Sequence, residues 1–325
     1  MRRRDILKAS MLAGAVLPVP RVFADAAVRG SGRKFIFVVN PGGWDPTRVL
    51  APEFDNANVD MERDAGATTL GGITFADHPD RPSVAEFMRS WHERTLILKG
   101  MLVPSVAHDN CLRLCMTGST RQDASDWPAI IRGAAAWNLG AAPVRVAGSG
   151  SSSFSDQCSF AVDALALGVS RCVTVSFTGS GWDTHVYNDL YQSQSWEGLY
   201  SGLGTLMESL AAQPGESGGT LADETIVVVL SEMGRTPRLN AGQGKDHWPY
   251  TSMMLVGHGF TGDRVVGAYD TLYYGRTVDL ASGELSETGA TLSSDVMGAT
   301  LLRLAGVDSE AFLPGVARLD GVVEE

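Results

Sequence analysis

TIVVVLSEMGRTP, residues 225–237, sets how the rest of the chain is read. Its first six residues are apolar or β-branched with no polar alternation. Such a run suits a strand buried on both faces, as in a parallel sheet. It stops at Ser231-Glu232, which places a carboxylate at the carboxyl end of the strand. Working outward, the same pattern recurs. KFIFVVN (34–40) runs into Pro41-Gly42-Gly43-Trp44-Asp45, and TLILK (95–99) ends at Gly100. CVTVSF (172–177) runs into Gly181-Trp182-Asp183-Thr184-His185. Shorter strands are predicted at 144–146 and 252–256. Helical patterns fall between them, over 83–91, 109–116, 127–137, 158–167, 190–212 and 293–304. Residues 46–80 show no period and read as irregular. Strands alternating with helices predict an α/β chain: a doubly wound, mostly parallel sheet with helices on both faces.

The amino-terminal end reads as an address. Arg2-Arg3-Arg4-Asp5-Ile6-Leu7-Lys8 precedes a short apolar stretch and the small-residue sites around Ala24. That is the layout of a signal peptide, and its adjacent arginines match the twin-arginine type. The expected organisation is a leader over 1–24, a linker over 25–33 and one domain over 34–325, with the product periplasmic or secreted. No later apolar run reaches the length of a membrane span.

Composition narrows the partners. Hydrophobic residues make up 44% and charged residues 19%, and 37 of 325 residues are Gly, as in a globular, loop-rich α/β protein. The net charge is −11, and removing the leader's net +4 takes it to −15. So acidic a chain has no electrostatic footprint for nucleic acid. Four cysteines, Cys111, Cys115, Cys158 and Cys172, fit no zinc-knuckle spacing. They read as buried thiols or one structural bridge.

In open α/β sheets ligands collect outside the carboxyl ends of the strands. Asp45 follows the first strand, His108 follows the strand at 95–99, Asp183 and His185 follow 172–177, and Glu232 follows 225–230. Asp246-His247 precedes 252–256. Carboxylates and imidazoles at one sheet edge are the inventory of a divalent metal site for Zn, Mn, Mg or Ca. Asp183 and His185, at i and i+2 on extended backbone, point the same way. Asp246 and His247 are neighbours and point apart, so one reaches an ion while the other orients a ligand. The candidate metal residues are therefore Asp45, Asp183, His185, Glu232, Asp246 and His247. His108 and Arg235 are the candidate catalytic residues. Arg235 either clamps an oxyanion bidentately or locks its own loop to a carboxylate. His78, His92 and His258 read as structural or surface residues.

Ser231-Glu232-Met233-Gly234-Arg235-Thr236-Pro237, followed by Asn240 and Asp246-His247, resembles the signature of the DUF1501 family. Gly181-Trp182-Asp183-Thr184-His185 is similar to that family's upstream motif, and His108 with Thr117-Gly118 to its histidine segment. The twin-arginine leader and the closing helix near 293–306 fit the same pattern, so the resemblance extends over nearly the whole mature chain. The family resembles the alkaline phosphatase and sulfatase superfamily. That relation implies an alkaline-phosphatase-like sheet with a metal cluster at the strand ends. It implies Asp45 as the first-strand ligand, Asp183 and His185 as a pair on one metal, and His247 as the late histidine. Glu232 falls where superfamily enzymes have an Asp-His pair, so one imidazole is missing. Ala107 stands where a serine is expected before the histidine. Ser105, Thr117, Ser119 and Cys111 are the substitute nucleophile candidates.

Two functions follow. One is an exported, metal-dependent hydrolase of phosphate or sulfate esters, its substrate a small molecule or a glycan. The other is a non-catalytic envelope or binding protein that keeps the fold.

Overall fold

The computed structural model describes residues 32–133, 144–145 and 153–324. The predicted leader and most of the linker lie outside the described residues, as do 134–137 of one predicted helix, Val146 and the start of the Gly/Ser loop at 148–155.

Lys34–Val39 forms β1, buried along its whole length. A 3₁₀ turn over Pro46–Arg48 follows, and then the stretch that shows no period in sequence folds as a hairpin, β2 (Gly66–Leu70) and β3 (Ile73–Asp77). Its residues alternate over only five positions, too few to stand out from loop. Next come α1 (Pro82–Trp91), β4 (Thr95–Leu102), α2 (His108–Thr117) and α3 (Trp127–Gly133). β5 (Val144–Arg145), α4 (Phe154–Ala166), β6 (Cys172–Ser176) and α5 (Asn188–Ala211) continue the alternation. The short α6 (Leu221–Glu224) leads into β7 (Thr225–Leu230), which matches its predicted bounds. After β7 lie β8 (Gly234–Arg235), β9 (His247–Trp248), β10 (Tyr250–Val256), β11 (Arg264–Val266) and α7 (Ser294–Leu304).

Seven strands form one sheet in the order β11-β4-β10-β7-β1-β6-β5. β1 pairs parallel with β6 and β7, β5 with β6, and β11 with β4. β10 alone runs against its neighbours β4 and β7. The reason is geometric. No crossover helix separates β7 from β10, so the chain re-enters the sheet at the edge where it left and must run back. The bounds of one strand and one helix also differ from expectation. β4 continues past Gly100, whose positive φ of 69° lets the strand kink toward Leu102. α4 starts earlier than its apolar residues suggest, because Ser153 and Asp156 close a capping box.

The strand residues alternate between two cores. Phe35, Phe37, Val228 and Leu230 face α2, α3 and α7, while Ile36, Val38, Val227 and Val229 face α1, α4 and α5. All four cysteines are buried and free. Among the described residues no helix is long and apolar enough to cross a membrane.

Three tryptophans brace the carboxyl edge of the sheet. Trp44 stacks on Trp196 with ring centroids 4.7 Å apart, and Trp182 meets both edge-on at 6.1 and 5.2 Å. They tie the loop after β1 to the loop after β6 and to α5. Gly42, at φ 125°, passes so close beneath that a Cβ there would sit 2.9 Å from the Cβ of Trp182 and 3.0 Å from the amide of Asp183.

Candidate metal centre

The loops leaving β4, β6 and β7 and the loop entering β10 all open at this one edge. They bring His108, Asp183, His185 and His247 together. His185 Nε2 and His247 Nε2 are 3.0 Å apart, and each is 3.1 Å from Asp183 Oδ1. His108 Nε2 lies 3.5 Å from Asp183 Oδ2. One donor atom each from His108, Asp183 and His247 falls within 4.8 Å of the others. The segment 183–185 is not extended as expected. Its amides bond two residues back, Thr184 to Trp182 O and His185 to Asp183 O, and this tight turn still delivers both side chains to one point.

The far side of each ring explains the near side. His108 Nδ1 donates to Glu232 Oε1 at 2.7 Å, His185 Nδ1 to Asp246 Oδ1 at 2.8 Å, and His247 Nδ1 to the Val106 carbonyl at 2.8 Å. Carboxylates and carbonyls only accept, so each Nδ1 carries its hydrogen, and in the neutral ring each Nε2 then turns a lone pair inward. His108 Nε2 is buried with no hydrogen-bond partner. Imidazole lone pairs crowded beside a carboxylate repel one another unless a cation lies among them. Histidines backed by carboxylate or carbonyl acceptors are the usual support of a metal ligand. Nitrogen-rich donors suit zinc or manganese better than calcium or magnesium, which take oxygen.

Asp183 is ready to take part as an anion. Burial raises its pKa, but the Arg235 guanidinium beside it outweighs that and holds it down at about 2. Arg235 Nη2 is 2.6 Å from Asp183 Oδ1.

The other predicted residues divide differently. Asp45 does not join the cluster. It is fully buried, with Oδ1 accepting from Thr47 and Oδ2 from Asn188 and the Lys245 ammonium, each 2.9 Å away, and with Arg48 3.7 Å off. Burial opposes its charge, yet Lys245 and Arg48 hold its carboxyl well below the usual carboxylate range. Both oxygens are committed to the protein's own donors. Glu232 and Asp246 stand behind His108 and His185 rather than among the inward atoms. Glu232 is 1% exposed and also accepts from the Gly42 amide and the Ser231 hydroxyl. Arg235 is fully buried, and its guanidinium donates to the carbonyls of Gly42, Gly43 and Lys245 as well as to Asp183. It is the lock on the loops, not an exposed clamp for an oxyanion.

A cleft of about 320 Å³ opens beside the cluster, lined by Pro41, Gly42, His108, Asp109, Leu112, Asp183 and Glu232. The serine, threonine and cysteine candidates lie elsewhere. Thr117 Oγ1 donates back to the Arg113 carbonyl, and the Ser105 hydroxyl accepts from the Ala107 amide. Burial raises the Cys111 thiol above its ordinary pKa, which makes it a poor nucleophile. Sequence reasoning missed Lys245. Its signal was a single lysine set between Gly244 and Asp246, in a loop otherwise free of basic residues after Arg238.

The family model DUF1501, described as a protein of unknown function, matches residues 134–320. No curated protein matches the chain by sequence. Several solved structures are similar to it. A putative sulfatase from Bacteroides thetaiotaomicron is 9% identical, with 89% of this chain and 76% of that chain covered and a TM-score of 0.44. A protein in the alkaline phosphatase superfamily from Vibrio parahaemolyticus is 14% identical, with 97% and 76% covered and a TM-score of 0.44. The C-terminal periplasmic domain of EcEptC from Escherichia coli is 10% identical, with 93% and 90% covered and a TM-score of 0.49. Because the family model spans more than half of its length, the chain belongs to DUF1501.

Proposed function

We propose that this chain is an exported, metal-dependent hydrolase of phosphate or sulfate esters, with one catalytic domain over 34–325. One observation carries the proposal: three histidines, each pinned through Nδ1, turn their Nε2 atoms toward a single ionised aspartate beside an open cleft. Asp183, His185 and His247 would hold the ion, and the donor set fits zinc or manganese. When bound, such an ion supplies Lewis-acid polarisation of an ester oxygen. His108 lines the cleft, and Glu232 behind it stabilises the imidazolium that forms when Nε2 takes a proton from an attacking water. Arg235 keeps Asp183 ionised and in place. The twin-arginine-like start of the sequence supports export.

Elemental analysis of protein purified without chelators is expected to find a divalent metal, absent from the Asp183→Ala/His247→Ala double variant. Esters of p-nitrophenol are expected to turn over. Folded protein that takes up neither Zn²⁺ nor Mn²⁺ would sink the proposal. His108→Ala separates two roles: as a base it keeps the metal and loses turnover, whereas as a ligand it loses both.

A second reading is favoured by one feature, the lack of Ser, Thr or Cys among the residues lining the cleft. A binding protein that keeps the fold and its metal needs no nucleophile. Metal-loaded protein that turns over none of the esters identifies it.

A further inference from the structure

The cleft beside the cluster has an unusual charge balance for a site that takes an anion. Its lining offers no Lys or Arg, but three carboxylates: Asp109, Asp183 and Glu232. Asp246 adds a fourth behind His185. The guanidinium bonded to Asp183, that of Arg235, is fully buried and already bonded through all three nitrogens. The Lys245 ammonium in the same group of loops is equally buried and bound to Asp45. Four carboxylates against one guanidinium leave no surplus positive charge even with a divalent cation counted in. The other donors at the cleft are uncharged. α2 begins at His108, and Ala107 before it has no side chain to cap the first-turn amides.

We infer that the cleft selects esters carrying a single negative charge on the tetrahedral group, phosphate diesters or sulfate monoesters, over phosphate monoester dianions. The inference rests on the hydrolase reading and narrows it. A second charge on the substrate would face Asp109, with no side-chain cation among the described lining residues to meet it. Sulfate monoesters and phosphate diesters share the required chemistry, a tetrahedral oxyanion with one charge and at least one organic arm. Asp109 is the residue that sets the preference, because it is exposed at the cleft wall and makes no contact with the cluster.

The test uses the metal-loaded full chain at about pH 8, where a phosphate monoester carries close to two charges. Binding of methyl sulfate and methyl phosphate is measured by titration calorimetry. Turnover is measured on bis(p-nitrophenyl) phosphate, p-nitrophenyl sulfate and p-nitrophenyl phosphate. The expected result is tighter binding of the monoanion by about tenfold, with Asp109→Lys narrowing that ratio to near one. Turnover of the diester or of the sulfate then tells which monoanion is used. Tighter binding of methyl phosphate by the unaltered chain, or an Asp109→Lys variant with an unchanged ratio, overturns the inference and leaves the hydrolase reading standing. If no ester turns over, the hydrolase reading fails, and the binding ratio still decides the charge class.

Discussion

Gly-Trp-Asp occurs twice in this chain, at 43–45 and at 181–183, each time just beyond a central strand. The two tryptophans pack on the same third ring, Trp196. The two aspartates have opposite fates. Asp45 turns inward under the 3₁₀ turn and is held by Lys245, Arg48, Thr47 and Asn188, with no exposed surface. Asp183 keeps about half of its side chain exposed (48%) and faces three imidazoles. What separates them is the company that the following residues bring. Pro46-Thr47-Arg48 supplies a turn and a cation, whereas Thr184-His185 supplies a donor nitrogen. One motif therefore serves as an internal tie at one place and as the open carboxylate of an imidazole cluster at the other.

Exchanging substitutions between the two sites should break this contrast if it is wrong. Asp183→Ala is expected to abolish stoichiometric metal uptake and to cost the metal-free protein about 1–2 kcal/mol, because buried Arg235 loses its carboxylate but keeps three carbonyl acceptors. Asp45→Ala should do the reverse. It strands a buried ammonium and guanidinium and is expected to cost about 3–5 kcal/mol in urea unfolding. An Asp45→Ala variant that unfolds like the parent would end the distinction. Asp246→Asn sharpens it further. It removes only the negative charge behind His185 and leaves an amide oxygen to accept from Nδ1, so metal affinity should weaken by about 10-fold rather than vanish, as read by chelator competition.

The smallest expected effect is an acid slope. Asp45 is held in its charged form below its ordinary pKa of 3.8, so its contribution is fully present above that value. As pH falls below it, the unfolded chain binds a proton that the folded chain refuses, and stability drops. Unfolding curves between about pH 5 and 2 should show this slope in the parent, and Asp45→Asn should make it shallower.

How much of this was legible in the sequence follows from the same pair. The central strands β1, β6 and β7 could be read because burial on both faces leaves nothing but apolar side chains. His108, Asp183, His185 and His247 could be placed at one edge because a parallel sheet collects its strand ends there. Asp45 could not be told from Asp183, because burial is not written in a tripeptide. Its tie, Lys245, lies 200 residues away in sequence and meets it only through the fold. The antiparallel course of β10 was hidden for a similar reason. Its residues are as apolar as those of a parallel strand, and only the missing crossover helix gives the direction away.

The four buried thiols carry a consequence for manufacture. A chain with no covalent staple has no folding step that waits for an oxidant, so its native state is equally reachable in a reducing or an oxidising compartment. Such a protein can be completed before it ever meets an oxidising compartment.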